Sequence, residues 1–435
     1  METRGQKRKI MKETFENQDV IDLIAPYCDR EQLQALSKTT PLMYRHITTL
    51  LQRCLTTRNP TQILPNISTQ NVIIRSFQDY VEKYKNKPFA IVSLLEYRST
   101  RWKDENNRQL SVQEVLDLFH SVAEIQIYHS QGYVKLPVVT YSVSFRHCAN
   151  VVIDSASLQG SNKFGLDFED TKNITIDASI LSQLNQISII QCTNFVVVPK
   201  DNKNKHHSLN ITIEDSHGNF FDLVRAALEY GNIGILSIKN NVTSNRISQT
   251  VPLHITNNIL QLEFHKVPNF SDFIRFLILY TKDEIWVSES QITINTDGFK
   301  GKYYITGEES NVQFISLYDK TIEDLVILYN FPVINFGSCK KIKLLTAYYN
   351  WEYIQIPNVI DVDKIIFHMH QYNSTEFKVL ERVYCKELEI HLHSDIQDVR
   401  LEIQNCEIGK ITVFKTETQN FSSRGYDGPV EIVTV

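Results

Sequence analysis

A short pattern built around a cysteine recurs along most of this chain and constrains its fold more than any other feature. Before the cysteine stand two apolar residues with one residue between them, the second of which lies three positions before the cysteine. After it stand two more with the same spacing, the first of which lies three positions after the cysteine. The clearest copies centre on Cys148, Cys192 and Cys339, with Thr171 in the cysteine position of another copy and weaker copies around Cys385 and Cys406. Successive copies lie about 21 to 23 residues apart, which is a repeat length of solenoid proteins. The sequence therefore predicts a solenoid.

Burial explains why such a spacing should recur. Alternate apolar residues turn one face of a short strand toward a core, and a small buried cysteine or threonine then allows the chain to turn. One such unit cannot bury its own apolar face, so neighbouring units must stack on one another.

The motif resembles the cysteine-containing leucine-rich repeat, L-x-x-L-x-L-x-x-C-x-x-I, in which the two apolar residues before the cysteine lie on a concave strand. This chain has a further apolar residue two positions after the last one of that pattern, and several copies lack the leading leucine. A parallel β-helix has similar turn lengths, so it stays open as the alternative fold.

A second, longer repeat predicts two helices. Residues 219–225 are echoed by residues 269–275, each with an Asp in the first turn and apolar residues at helical spacing. Tyr230 and Tyr280 close the two segments, whose separation corresponds to about two repeats. Helices between strands favour the leucine-rich solenoid over the all-β helix.

Composition indicates a folded protein with a substantial core. The chain has 435 residues, of which 42% are hydrophobic and 22% charged, with a formal net charge of -5. This charge gives no general attraction to nucleic acid or anionic lipid. Residues 1–16 form a basic tail that does not resemble a secretory signal, and no apolar run predicts a membrane span. We therefore expect a cytoplasmic or nuclear protein, whose seven cysteines are reduced core residues.

Residues 17–58 differ in character from the rest and predict a compact helical module. Apolar residues recur there at helical spacing, and the stretch from Ile24 to Lys38 resembles the middle of an F-box, although the opening Leu-Pro pair of that family is absent. Residues 59–110 are expected to form a helical linker and the first repeat, in which Ser68 to Gln70 cap a helix containing Val72, Ile73, Phe77, Tyr80 and Val81. Residues 111–435 would then form the leucine-rich-repeat-like solenoid of an α/β protein.

An F-box followed by leucine-rich repeats is the layout of substrate receptors in SCF-type cullin-RING ubiquitin ligases. The resemblance implies docking of the module on a Skp-family adaptor and binding of an unknown protein cargo on the solenoid. The residues expected to contact the adaptor are Ile21, Ile24, Leu33, Leu36 and Tyr44. Three alternatives stay open: a non-ligase scaffold, such as a kinetochore subunit that meets nucleic acid only through its partners, a β-helix carbohydrate-active enzyme, and a module that merely caps the solenoid.

Catalytic motifs are not found in the sequence, which contains no phosphate-binding glycine-rich loop, no Gly-x-Ser-x-Gly and no His-Glu-x-x-His. Glu387 and Glu389 would share one side of a strand, but Lys364, one repeat earlier, is expected to neighbour Glu387 across the sheet. We therefore predict no catalytic residue, cofactor or metal.

Two His-x-His pairs, separated by one repeat length, are expected to stack on adjacent strands with their rings on the outer side of the sheet. Close to them in sequence lies a cluster of aromatic residues of the kind that dominates protein interfaces. The possible cargo surface consists of Tyr348, Tyr349, Trp351, His368, His370, His391 and His393.

Overall fold

The computed structural model describes most of the chain between residues 30 and 435. The described residues are 30–40, 42–43, 45–47, 70–85, 90–119, 121–158, 163–199, 208–244, 257–268, 271–290, 292–294, 299–307, 314–317, 321–329, 333–336, 339–348, 360–369, 377–381, 383–393 and 396–435. They fall into two compact units. Unit 1 comprises Met1–Asn210 and Ser216–Tyr230, and unit 2 comprises Ile211–Asp215 and Gly231–Val435.

Unit 1 consists mainly of short strands with helical segments between them. Its strands are β1 Gln70–Ile74, β2 Ala90–Arg98, β3 Ser121–Tyr128, β4 Gln131–Tyr133, β5 Val138–Arg146, β6 Ala149–Ile153, β7 Phe164–Glu169, β8 Lys172–Asp177, β9 Leu184–Ile190, β10 Thr193–Val198, β11 Ser208–Glu214, which runs into unit 2, and β12 His217–Gly218. Its helices are α1 Arg30–Ser37, α2 Phe77–Tyr80, α3 Val112–Leu116 and α4 Phe220–Tyr230, together with a π-helix at Val81–Lys85 and 3₁₀ turns at Ser99–Arg101, Ser155–Leu158 and Ala178–Gln183.

The strands of unit 1 pair in parallel and in two ladders. One ladder runs through β1, β2, β3, β5, β7 and β9, and the other through β4, β6, β8, β10 and β12. From β3 to β10, each coil therefore contributes one strand to each ladder before a turn or helix returns the chain. The stacked parallel strands that the repeat predicted are confirmed.

The cysteine motif occupies the corner between the two ladders. Cys148, Thr171 and Cys192 are buried there, and the four apolar residues around each of them point into the core. The residue before each of the three has a positive φ, as in His147 with φ 52 and Asp170 with φ 44. This left-handed conformation turns the chain sharply, and Asp and His tolerate it better than most residues do. The turn predicted at this position is confirmed.

Side chains in the cysteine position also join one coil to the next. The hydroxyl of Thr171 accepts a hydrogen bond from the Cys148 amide at 3.4 Å, and that of Ser216 accepts one from the Cys192 amide at 2.9 Å. Ser216 Oγ in turn donates to the carbonyl of Ile189 at 3.2 Å. Small polar residues recur here because they fit the corner and satisfy backbone groups that water cannot reach.

Aromatic stacking fills the core inside this corner. The rings of Phe145 and Phe168 are stacked with their centroids 5.5 Å apart, and Phe168 meets Phe195 edge-on at 6.2 Å. The ring of Phe220, in the first turn of α4, stacks on Phe195 at 5.7 Å. Helix α4 thus closes the coil through its apolar face, in agreement with the helix predicted for residues 219–225.

Unit 2 also consists mainly of parallel strands. Its strands are β13 Asn232–Lys239, β14 Thr243–Ser244, β15 Ile259–His265, β16 Thr281–Ser288, β17 Ile292–Ile294, β18 Lys302–Gly307, β19 Phe314–Leu317, β20 Thr321–Tyr329, β21 Val333–Asn335, β22 Lys341–Tyr348, β23 Asp361–Met369, β24 Phe377–Glu381, β25 Tyr384–Leu392, β26 Asp398–Gln404, β27 Glu407–Lys415, β28 Asn420–Arg424 and β29 Val430–Thr434. Helix α5, Asp272–Leu279, is capped by the Ser271 hydroxyl and confirms the second predicted helix.

One long parallel ladder dominates unit 2. It runs through β13, β15, β16, β18, β20, β22, β23, β25, β27 and β29. Two shorter parallel ladders join β17 to β19 and β21, and β24 to β26 and β28. Strand β29, Val430–Thr434, pairs in parallel with β27.

Two predictions about the phase of the repeat were wrong. Cys385 and Cys406 do not occupy equivalent positions in their coils. Cys385 pairs with Ile408 across the ladder, and the residue that lies beside Cys406 is Val383, whose amide donates to Cys406 Sγ. A shift of two residues keeps the same side chains inward, so the pattern could not reveal it. In the copy around Cys339, strand β22, which follows the cysteine, belongs to the long ladder of unit 2. In the copy around Cys148, it is β5, the strand before the cysteine, that belongs to the ladder running from β1 to β9.

The helix expected to begin at Ser68 to Gln70 begins later, which corrects a third prediction. Val72 and Ile73 lie in strand β1, which pairs with β2. The helix starts at Phe77, and its N-cap is Ser76, whose hydroxyl accepts from the Asp79 amide. The β-branched run from Val72 to Ile74 favours a strand and explains the difference.

Candidate recognition surface

The long ladder of unit 2 aligns outward-facing side chains of successive coils into columns. Inward positions such as Phe367, Met369 and Ile390 are buried, whereas the residues between them reach the surface. Because the strands are parallel and in register, residues roughly one coil apart in sequence lie side by side, about 4.8 Å apart.

One column consists of aromatic and histidine rings. Register places Tyr348 beside His368, His368 beside His391, and His391 beside Phe414. The rings of Tyr348 and His368 stack at 4.3 Å with 3° between their planes, His368 and His391 lie 4.9 Å apart, and His391 stacks on Phe414 at 4.5 Å. All four are half-buried. We call these four residues the ring column.

Polar contacts of His368 and His391 hold the ring column in place. His368 Nδ1 lies 3.2 Å from His393 Nε2, so one of the two histidines donates a hydrogen bond to the other. His391 Nε2 is 3.6 Å from the Glu389 carboxylate. Lys364 Nζ donates to the same carboxylate at 2.5 Å, which neutralises the charge nearest to the rings.

Further towards the start of each strand lies a column of charges that alternate in sign. Lys364 pairs in register with Glu387, as predicted, and Glu387 pairs with Lys410. Lys410 also binds Glu431 at 2.5 Å, and this contact is the main reason that the pKa of Lys410 is raised. The surface beside the ring column therefore carries paired charges, while the ring column contains no carboxylate of its own.

The two glutamates considered as a catalytic pair have ordinary structural surroundings. Glu389 is bound by Lys364, and Glu387 is exposed between lysines. Each carboxylate therefore has a lysine as a partner, as in ordinary charge pairs across a sheet.

The structure brings together four of the seven residues predicted for the cargo surface, namely Tyr348, His368, His391 and His393. Tyr349, Trp351 and His370 lie outside the described residues. Phe414 was missed, although it follows His391 at the same interval that links the two histidine pairs. Trp286 and Tyr304, which stack at 4.0 Å in an adjacent column, were also missed because their separation in sequence is shorter than the repeat length.

The predicted adaptor-binding residues are only partly described. Leu33, in α1, is completely buried, and Met43 and Ile47 are buried as well. Leu36 is half-buried, so it reaches the surface in part. Ile21, Ile24 and Tyr44 lie outside the described residues. Helix α1, Arg30–Ser37, lies within the range of residues 17–58.

Over the described part of the chain, no group of three or more His, Cys, Asp or Glu side chains is arranged to hold a metal ion. Within the same residues, no helix has both the length and the apolar character needed to cross a membrane. Comparison of the chain with family models, with curated proteins and with solved structures gave no match. The function must therefore be argued from the geometry of the surface itself.

Proposed function

We propose that this chain is a recognition protein that binds a protein partner through the ring column of unit 2. The observation that carries the proposal is the continuous row of four half-buried rings on four successive strands of the ladder, in which the two outer pairs are stacked and the middle pair is tilted. Rings that already pack against one another lose little conformational entropy on binding, and aromatic side chains dominate the energetics of protein interfaces.

The charges around the ring column support the same proposal. Cores of protein interfaces are depleted in charge and are surrounded by a polar rim. Here the charge nearest to the rings, on Glu389, is paired with Lys364, and the alternating column beyond it resembles such a rim. A partner that covers the rings therefore has no unpaired carboxylate to desolvate at this position.

The ring geometry argues against the carbohydrate-active alternative at this surface. An aromatic platform for a sugar presents an open face, but two of the three contacts in the ring column are face to face, with 3° between the planes of Tyr348 and His368 and 18° between those of His391 and Phe414. The third, between His368 and His391, is tilted by 33°, so faces inside the column are largely covered by neighbouring rings. We infer that the surface binds side chains and backbone of a protein and that the chain is not an enzyme.

Site-specific photocrosslinking in the source cells tests the proposal. A benzophenone amino acid replaces Tyr348 in one variant and Tyr141, an exposed tyrosine of unit 1, in a matched control. We expect the Tyr348 probe to trap a discrete protein adduct that the Tyr141 probe does not trap, and we expect His391→Ala to reduce this adduct. If neither probe traps a protein, or both trap the same ones, the proposal is wrong.

We also infer that the solenoid is closer to a parallel β-helix than to a leucine-rich repeat. Each coil of unit 1 between β5 and β10 carries two strands in two parallel ladders, which is typical of β-helices. Helices α4 and α5 are leucine-rich-repeat-like features within this plan. Engineered cysteines at Val152 and Thr175, which are partners across β6 and β8, should crosslink under mild oxidation if each coil carries a second strand, and absence of this crosslink would contradict the assignment.

A narrower proposal concerns residues 17–58, which we propose to dock on a Skp-family adaptor of a ubiquitin ligase in the cytoplasm or nucleus. Its support is the sequence resemblance, helix α1, and the surface positions of Leu36 and Leu42. Purified adaptor should bind the full chain and not a variant lacking residues 1–58, and Leu42→Glu should weaken binding. Failure of the full chain to bind leaves the module as a cap of the solenoid and favours the non-ligase scaffold.

The ligase and scaffold hypotheses differ in the fate of the partner. A ligase receptor predicts that the crosslinked cargo is turned over when the adaptor is present. A kinetochore-like scaffold predicts a stable assembly with DNA-binding partners, in which the crosslinked protein persists.

A further inference from the structure

Unit 1 carries a group of arginines that neither the ring column nor the N-terminal module accounts for. Arg98 Nε donates to Glu96 at 2.6 Å, Arg75 Nε donates to the other oxygen of the same carboxylate at 3.1 Å, and Arg101 lies 3.3 Å away. Glu96 is almost completely buried, whereas the three arginine side chains are between 40% and 51% exposed. Three cations thus surround one anion at the surface.

A fourth arginine, Arg146, lies near the same tyrosine ring as Arg98. The guanidinium carbon of Arg98 is 4.1 Å from the ring centroid of Tyr128, and that of Arg146 is 5.9 Å from the same centroid. Arg146 is close to Glu169, at 3.2 Å, on a neighbouring strand. Arg98, Tyr128 and Arg146 are consecutive members of one outward column on β2, β3 and β5. We call Arg75, Arg98, Arg101 and Arg146 the arginine cluster.

The arginine cluster holds more positive charge than the fold requires. One guanidinium is enough to neutralise Glu96, yet three converge on it, so the four arginines and the two glutamates leave a formal excess of two positive charges. Like charges gathered at one surface repel one another and oppose the compact state. A group of this kind is therefore better explained by a ligand than by stability.

The guanidinium groups have N–H donors that their contacts to glutamate do not use. Each arginine has five N–H donors in a planar fork that matches an oxyanion, and the contacts to glutamate use only part of them. The surface is bounded on one side by Glu124 and by Asp167, whose pKa is raised mainly by burial. These carboxylates mark the limit of the cationic surface towards the start of β3 and towards β7.

We propose that the arginine cluster binds an acidic peptide segment of a partner protein. Arg98 and Arg146 are two rows of the ladder apart, about 9.6 Å at the usual strand spacing, so carboxylates about three residues apart on an extended peptide can each meet one guanidinium. The site lies in unit 1 and does not depend on the ring column, so the proposal goes beyond the proposed function.

An acidic peptide fits the site better than nucleic acid or an anionic membrane does. Both of those ligands carry dense charge over long distances and require extended basic surfaces. This cluster is local, contains two carboxylates and belongs to a chain of formal charge -5, which repels a large polyanion. A short peptide with a few carboxylates matches the small positive excess.

Fluorescence polarisation of the full chain with a labelled oligoglutamate peptide tests the proposal. An oligoglutamine peptide of the same length is the ligand control. Arg101→Ala leaves Arg75 and Arg98 on Glu96, so the fold keeps its buried ion pair. Lys172→Ala is the matched protein control, because it removes an exposed cation of β8 in unit 1 without touching the cluster.

We expect oligoglutamate to bind, oligoglutamine not to bind, and Arg101→Ala to weaken binding about tenfold while Lys172→Ala has little effect. Added salt should weaken binding progressively. The proposal is overturned if both peptides behave alike or if the two variants lose affinity equally. It is also overturned if inorganic phosphate displaces the peptide at concentrations far below those of the added salt, because the site would then bind a small anion.

Discussion

Replacement of Ser216 by alanine tests the physical account of the coil corner. The Ser216 side chain is 2% exposed, and its hydroxyl links two coils by accepting from the Cys192 amide at 2.9 Å and donating to the Ile189 carbonyl at 3.2 Å. Alanine fits the same space but leaves both backbone groups without this partner inside the core.

The expected loss of stability follows from these two contacts. A buried polar group left without a partner costs about 1–3 kcal/mol, and no large cavity is created, so we expect Ser216→Ala to lower the free energy of unfolding by about 2 kcal/mol. Ser216→Cys should cost less, about 1 kcal/mol, because cysteine occupies the equivalent corner at Cys148 and Cys192 and retains a weak donor and acceptor. Ser208→Ala removes an exposed hydroxyl of unit 1 and should change stability by less than about 0.5 kcal/mol.

Two assays together measure this effect. Equilibrium unfolding in urea, followed by circular dichroism, gives the change in stability of the three variants. Hydrogen exchange then reports locally on the Cys192 amide, which should lose protection in Ser216→Ala and keep it in Ser208→Ala. The reasoning is refuted if Ser216→Ala and Ser208→Ala unfold at the same urea concentration and the Cys192 amide of Ser216→Ala remains protected.

Three further predictions concern the core, the thiols and a helix cap. Phe168→Ala should destabilise unit 1 by about 3–5 kcal/mol, since it removes the middle ring of a buried stack, and an unchanged urea midpoint would contradict this. Burial raises the pKa of Cys192 to about 11 and that of Cys385 to about 12. Iodoacetamide near neutral pH should therefore label half-buried Cys406 before these two, which should react only after unfolding, as read by mass spectrometry. Hydrogen bonds from the Ser111 amide and then from Arg108 lower the pKa of Glu114 from 4.5 to about 2. The stabilisation that Glu114 contributes should therefore be complete above pH 4.5 and disappear as the pH falls toward 2. The difference in free energy of unfolding between wild type and Glu114→Ala should shrink over that range, and a constant difference would disprove this linkage.

Much of the fold could be predicted because burial imposes a strict alternation on strands. The inward residues around Cys148, Thr171 and Cys192 are all buried, and the small residue at the corner lies where the spacing indicated. The same alternation repeats every two residues, so the phase of the copies around Cys339 and Cys385 could not be fixed from it. Strand β1 was mistaken for helix because its apolar residues and those of α2 together imitate a helical period.

Less of the candidate site could be predicted, because it depends on register. The coil from Tyr348 to His368 is shorter than the next one, from His368 to His391, since turns of different length separate the strands. Equal spacing revealed the two histidine pairs but concealed the stack of Tyr348 on His368. The arginine cluster gave no signal in sequence, because Arg75, Arg98 and Arg146 are far apart along the chain and are brought to one surface only by the pairing of the strands.

Engineered cysteine pairs on the long ladder of unit 2 test the central claim, that each coil adds one in-register row to a parallel sheet, most directly. Glu389 and Thr412 are partners across β25 and β27, whereas Glu387 pairs with Lys410 and lies two residues out of register with Thr412. Under mild oxidation, the account predicts that a cysteine pair at 389 and 412 forms a crosslink in the native protein and that a pair at 387 and 412 does not. Preferential crosslinking of the second pair, or equal crosslinking of both, would contradict the register on which the ring column and its proposed function depend.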